Sequence, residues 1–346
     1  MRIIEQSRTA IKRLVFGDTL LPQGFTIGVA GPQAEITVWL HGMDAPLDVT
    51  HRHSSACFQP FTICVAFDEG RVPDAQDLRR LSLKFCEREG QKRVLGEIGL
   101  RKTTAISMDG LELLLFEARS SANYCLQRRY LWAHYLLHAY SGWRSFDASE
   151  IKMSFRERRA SMVTFIRPHP VSLVSLGDNS CGNIFPMNIM GDLGHDRFGF
   201  ALRKARLASG LVERSGRIAV SCVPLPQAPF AYQLATNHLK EFIDWEQLPF
   251  ATRLSSLFKI PVPVFALRVR EMEIEKIQRI GSHTFFVARI VHNESFSDGL
   301  ELCVIHGFYQ AHRLKGRSAE LKASVVQDSV NKQGLNCSQT PAAPGG

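Results

Sequence analysis

From Val163 to Leu314 the chain is a succession of short apolar runs, each cut off by glycine or proline: VSLVSLG, FGFALR, GRIAVSCV, VFALRVREMEIEKIQRI, HTFFVARIVHNE and ELCVIHGFYQAHRL. Runs of this length and spacing suit antiparallel strands that close into a barrel or sandwich, and little else. A single helical stretch, AYQLATNHLKEFI (231 to 243), interrupts them. One run is irregular. CGNIFPMNIM (181 to 190) sets Gly182, Asn183, Pro186 and Asn188 among core-type residues, which predicts a strand bent so that backbone and amide groups face outward. The same residues also suit ordinary turn chemistry at a strand end.

The first half alternates strand and helix signals. AEITVWLHG (34 to 42) reads as a half-buried strand and FTICVAF (61 to 67) as a buried one. Pro73 to Gly90 predicts a helix with Leu78, Leu81 and Phe85 on one face. Asp109-Gly110 inside TTAISMDGLELLLFEA is a strong hairpin signal. In SSANYCLQRRYLWAHYLLHAY, residues Leu126, Tyr130, Ala133, Leu137 and Tyr140 fall at helical spacing. These features predict an α+β domain over 1–145 with no assigned role, a polar linker over 146–162 that can end in a short helix, a β domain over 163–317 and a disordered tail over 318–346. Ile4, Ile11, Leu14 and Val15 predict an amphipathic first helix. No internal repeat is visible in the sequence.

A chain of 346 residues, 45% of them hydrophobic, can bury the cores of two domains. No apolar run approaches the roughly 18 to 20 residues of a membrane span, and the N-terminus lacks the apolar core of a secretory signal. The eight cysteines form no CxxC pair, as expected of small hydrophobes in a reducing, cytoplasmic setting. The net charge of +9 suits an anionic ligand; the basic residues are scattered without interleaved aromatics, which argues against nucleic acid. His51, His53, His134 and His138 do not form the HExxH signature, so a metal is not expected, and no GxSxG elbow marks a hydrolase.

RPHPVSLVSLGDNSCGNIFPMNIMGD, LASGLVERSGRIAVSCVPLPQA and GSHTFFVARIV, in that order, resemble the flavin reductase-like family of FMN-binding split barrels. The resemblance covers about residues 160 to 317. It implies a mainly antiparallel Greek-key split barrel, paired as a homodimer with flavin at the subunit interface. It further implies a flavin site at Ser175, Asn183, Phe185, Pro186, Met187 and Asn188, and His283 as the catalytic residue on the nicotinamide side. The cofactor's phosphate needs basic or hydroxyl partners, which Arg203, Lys204, Arg206 and Ser209 offer. Ala208 and Leu211 stand where the family has threonine and asparagine, which leaves FMN or FAD open. The implied activity is that of an NAD(P)H:flavin oxidoreductase, passing electrons to free flavin, a partner monooxygenase or a small substrate. The alternative is a flavin-binding accessory protein whose N-terminal domain holds a partner or substrate.

Overall fold

The computed structural model describes residues 24–144, 153–178 and 180–316. The expected first helix, the tail and part of the linker lie outside the described residues. The first half contributes β1 (Phe25–Val29), β2 (Ile36–His41), β3 (Leu47–Asp48), β4 (His53–Phe58), β5 (Phe61–Asp68), β6 (Ser82–Glu87), β7 (Val94–Met108) and β8 (Leu111–Asn123). Two helices follow, α1 (Arg128–Arg144) and α2 (Phe155–Thr164). The second half runs β9 (His169–Pro170), β10 (Ser172–Gly177), β11 (Gly182–Met187), β12 (Met190–Gly194), β13 (Arg197–Arg203), α3 (Leu207–Ser215), β14 (Arg217–Cys222) and α4 (Ala228–Gln233). It ends with β15 (Thr252–Leu254), β16 (Pro261–Pro263), β17 (Arg268–Ile280), β18 (His283–Ser295), β19 (Glu301–Ile305) and α5 (Gly307–Gly316).

Two seven-stranded antiparallel sheets dominate, ordered β3-β2-β6-β7-β8-β5-β4 and β11-β10-β14-β17-β18-β13-β12. Taken in chain order, the strands of one occupy the same places as those of the other. The repeat invisible in the sequence is therefore present in the topology. The first half holds both strands and helices, as expected, but its strands build one half-barrel sheet and its helices, including the expected one at Arg128–Arg144, follow that sheet rather than alternating with its strands. The expected Asp109-Gly110 hairpin forms and is the longest in that sheet.

Two expectations fail for identifiable reasons. Residues 73–90 hold only a 3-10 turn at Asp77–Arg79 and then β6, because Leu81, Leu83 and Phe85 alternate inward while the backbone pairs with β2 and β7. HGFYQAHRL is not a strand but α5, whose Phe308 and Tyr309 enter the first half's core. Its Tyr309 hydroxyl donates to Glu35 at 2.7 Å, and Arg313 binds the same carboxylate at 2.8 and 2.9 Å. That buried pair closes the first half with residues from the end of the second. The segment before Val163 carries the short helix that its sequence allows after a linker: α2 starts where Ser154 and Glu157 form a reciprocal capping box.

The halves share more than a linker. β1 pairs with β19, which also pairs with β9. Ala56, Ala66, Leu113 and Leu115 of the first sheet share one buried cluster with Leu193, Ala201, Phe285 and Val287 of the second. Among the described residues, no helix is long and apolar enough to cross a membrane.

Candidate active site

β11 is an edge strand: it pairs with β10 on one side, so Pro186 removes no ladder hydrogen bond on the other. Beyond Met187 the chain leaves the sheet, and Asn188 and Ile189 form one wall of a cavity of about 410 Å³. Ala201, Leu202 and Arg203 at the end of β13, Arg206 before α3, and His283 at the start of β18 form further walls. A segment between β14 and β17 roofs it with Ala235, Thr236, His238 and Leu239. Volume and composition are those of a small-molecule site: apolar walls with a few convergent polar groups.

The predicted residues divide. Pro186, Met187, Asn188, Arg203 and His283 are brought together at the cavity; Ser175, Asn183, Phe185, Lys204 and Ser209 do not line it. Asn183 is buried and donates through Nδ2 to the carbonyls of Asn237 (3.1 Å) and Lys240 (2.8 Å). Asn237 Nδ2 returns a bond to Ile184 O at 2.9 Å, and His238 Nε2 donates to Pro186 O at 2.8 Å. Through Nδ2 this Asn183 amide pins the roof to the edge strand. Phe185 lies in the core with its ring 4.7 Å from His238, and Ser175 is buried in β10. Lys204 donates to Ser282 O through its backbone N–H, and Ser209 lies buried in α3. The roof residues carry little signal in the sequence because 231–243 reads as a plain helix; the adjacent polar residues Thr236, Asn237 and His238 are the cue that could have marked them.

Asn183→Ala is expected to lower stability by about 1–3 kcal/mol, since two carbonyls lose their donor. Limited proteolysis within 234–248 should accelerate more than elsewhere in the chain. An unchanged cleavage pattern would count against the role of Asn183 as a roof anchor.

Electrostatically the cavity favours an anion. Burial first, then the nearby Arg203, pushes His283 down to about 4. Burial, together with Arg206 and Arg203, also lowers His238. Both imidazoles are thus neutral at pH 7, and the two guanidiniums set the sign. His283 is fully buried, its Nδ1 is 2.9 Å from Ser282 Oγ, and among the described residues its Nε2 has no hydrogen-bond partner. An orphaned buried nitrogen at a cavity wall fits a group that arrives with the ligand.

Buried neutral histidines also set an acid limit. His169 and His138 are lowered to about 4 and His306 to about 3, each mainly by burial. The unfolded chain binds these protons near pH 6.5 and the folded chain does not, so stability is full above 6.5 and falls as pH drops from 6.5 toward 4. Chemical denaturation at pH 7.5, 6 and 5 should show this decline; a flat profile would contradict it.

The sequence agrees with this geometry. Residues 166–314 match the family model of the flavin reductase like domain. The region before it is matched by no family, and no curated protein matches the chain. Among solved structures, it is similar to an FMN-binding protein from Thermus thermophilus with bound 1-cyclohex-2-enone, at 24% identity over 37% of this chain and 71% of that one, with a TM-score of 0.34. It is also similar to the NADH:FAD oxidoreductase SgcE6 of Streptomyces globisporus C-1027, at 17% identity over 46% and 95% of the two chains, TM-score 0.39. The styrene monooxygenase flavin reductase of Pseudomonas putida S12 matches at 18% identity over 44% and 93%, TM-score 0.35. The stretch matched by that family model contains every residue that lines the cavity.

Proposed function

We propose that the chain is a flavin-dependent oxidoreductase whose split-barrel domain binds FMN in the cavity roofed by 235–239. The carrying observation is the convergence, inside the flavin reductase like domain, of two guanidiniums and one orphaned imidazole nitrogen on an apolar cavity. The walls from Pro186 to Ile189 and at Ala201 and Leu202 suit a flat ring, and Arg203 and Arg206 suit a phosphate. When bound, the flavin supplies two-electron acceptance from NAD(P)H and release to a free flavin, a partner monooxygenase or a small substrate. His283, neutral and fixed at Nδ1, orients the incoming nicotinamide through Nε2 rather than supplying a proton at pH 7. The roof excludes water from the ring while its opening governs access.

The test is anaerobic titration of the FMN-saturated protein with NADH and with NADPH. Bleaching of the flavin band by either supports the reductase. Flavin binding without bleaching leaves a flavin-carrying accessory role instead, and a protein that takes up neither FMN nor FAD overturns the flavin assignment. His283→Ala is expected to slow reduction roughly 10- to 100-fold while FMN affinity changes little, as for loss of one positioned catalytic side chain.

A further inference from the structure

The two sheets agree below the level of strand order. The hairpin β7–β8 slips register between Gly99 and Leu100 and between Lys102 and Thr104. The hairpin β17–β18 slips between Glu271 and Met272 and between Ile274 and Lys276, the same steps counted back from the turn. β4 carries a bulge between Ser55 and Cys57, and β12 one between Asp192 and Gly194. Bulges re-aim specific side chains, and their coincidence fixes a residue-by-residue correspondence. Ala66 corresponds to Ala201, Asp68 to Arg203, Leu111 to His283, Leu113 to Phe285 and Leu115 to Val287.

Corresponding residues are also the ones that meet. The cluster between the sheets contains Ala66 with Ala201, Leu113 with Phe285, Leu115 with Val287 and Ala56 with Leu193. Ser54 Oγ donates to Gly199 O at 3.0 Å, and a Cβ on Gly191 would run into His53 O. A surface that buries its own counterparts is the isologous contact of a twofold dimer, here made within one chain. The tip of β4–β5 reaches the cavity of the second half. Gln59 O accepts from Ser282 N at 2.8 Å, and Gly281, at φ 44°, is held so close to Gln59 O that a Cβ would clash. Phe58 packs edge-on against His283 at 5.8 Å, and Cys57 Sγ lies 3.6 Å from His283 Nδ1.

The reciprocal position differs in sign and shape. Where the second half has Arg203, the first has Asp68, bonded to Arg52 at 2.6 Å and to His195, on the opposite tip, at 2.9 Å. Leu111 replaces the imidazole. β6 connects to β7 directly, with no counterpart of the roof between β14 and β17, and only a 3-10 turn stands where the second half has α3. A carboxylate held by two neighbours in place of a guanidinium rejects a phosphate.

We propose that the first half serves, within the same chain, as the second subunit of the flavin site, positioning His283 through Phe58 and Gln59, so that each chain holds one flavin and the reciprocal position holds none. This rests on the flavin assignment above, and it places the expected homodimer pairing inside a single chain. The test titrates the wild-type chain with FMN to saturation and measures bound flavin per chain together with molar mass in the same solution. One FMN on a single 38.8 kDa chain is expected. Two FMN per chain, or FMN retained only by a species of two chains, overturns this inference alone, whereas uptake of no flavin overturns the assignment beneath it. Phe58→Ala should raise the dissociation constant or slow flavin reduction by roughly tenfold, with Phe58→Tyr restoring it and the melting curve little changed. Both parameters unchanged in Phe58→Ala would remove the positioning role.

Discussion

Arg203→Glu is expected to weaken FMN binding by roughly 100-fold or more. A hydrogen bond to a charged group is worth about 1.5–3 kcal/mol, and the reversed charge adds repulsion of the phosphate. Arg203 ends β13 at the cavity wall, paired across the ladder with His283, so the substitution alters the site without entering the core. Riboflavin, which lacks the phosphate, should lose far less. Fluorescence titration of both flavins distinguishes the outcomes: equal losses would mean that Arg203 shapes the ring pocket and that the phosphate lies elsewhere. The same charge written at the reciprocal place, Asp68, is what the chain itself carries.

Phe285→Ala is expected to cost about 3–5 kcal/mol, the range for truncating a buried aromatic side chain. Phe285 is fully buried in the cluster that joins the two sheets, and its ring lies where a Cβ on Gly199 would come within 2.9 Å. Its loss opens a void at the joint rather than inside either half. Denaturation followed by tryptophan fluorescence and by far-ultraviolet circular dichroism should therefore give separated midpoints in the variant and coincident ones in the wild type. A loss below about 1 kcal/mol would show that the joint repacks freely.

The second half was legible because its strands announce themselves by glycine and proline punctuation, and because Pro186, Met187, Asn188 and His283 fall where a kinked edge strand and a strand start bring them together. Asn183 is ambiguous in the sequence for a physical reason: an amide on a bent strand suits a ligand or a neighbouring backbone equally well, and here its Nδ2 meets the roof's carbonyls. The first half was not legible as a copy of the second. Strand order and bulge positions are properties of hydrogen-bond pairing, which many sequences satisfy, and the corresponding residues Leu111 and His283 or Asp68 and Arg203 share no chemistry. Its β6 was hidden by a proline and a spacing that also fit a helix until pairing with β2 and β7 chose the alternation of Leu83 and Phe85.

In a dimer of identical chains every substitution is written twice, once at each end of the axis, so a change that spoils one site spoils both. Here the tip bearing Gln59 and the tip bearing His195 are separate stretches of one chain, and each can change without the other. Joining the halves thus frees one face to become purely a clamp while the other keeps its cavity. The ion pairs of Asp68 and the unpartnered imidazole nitrogen of His283 mark that difference on two faces that share strand order and bulge positions.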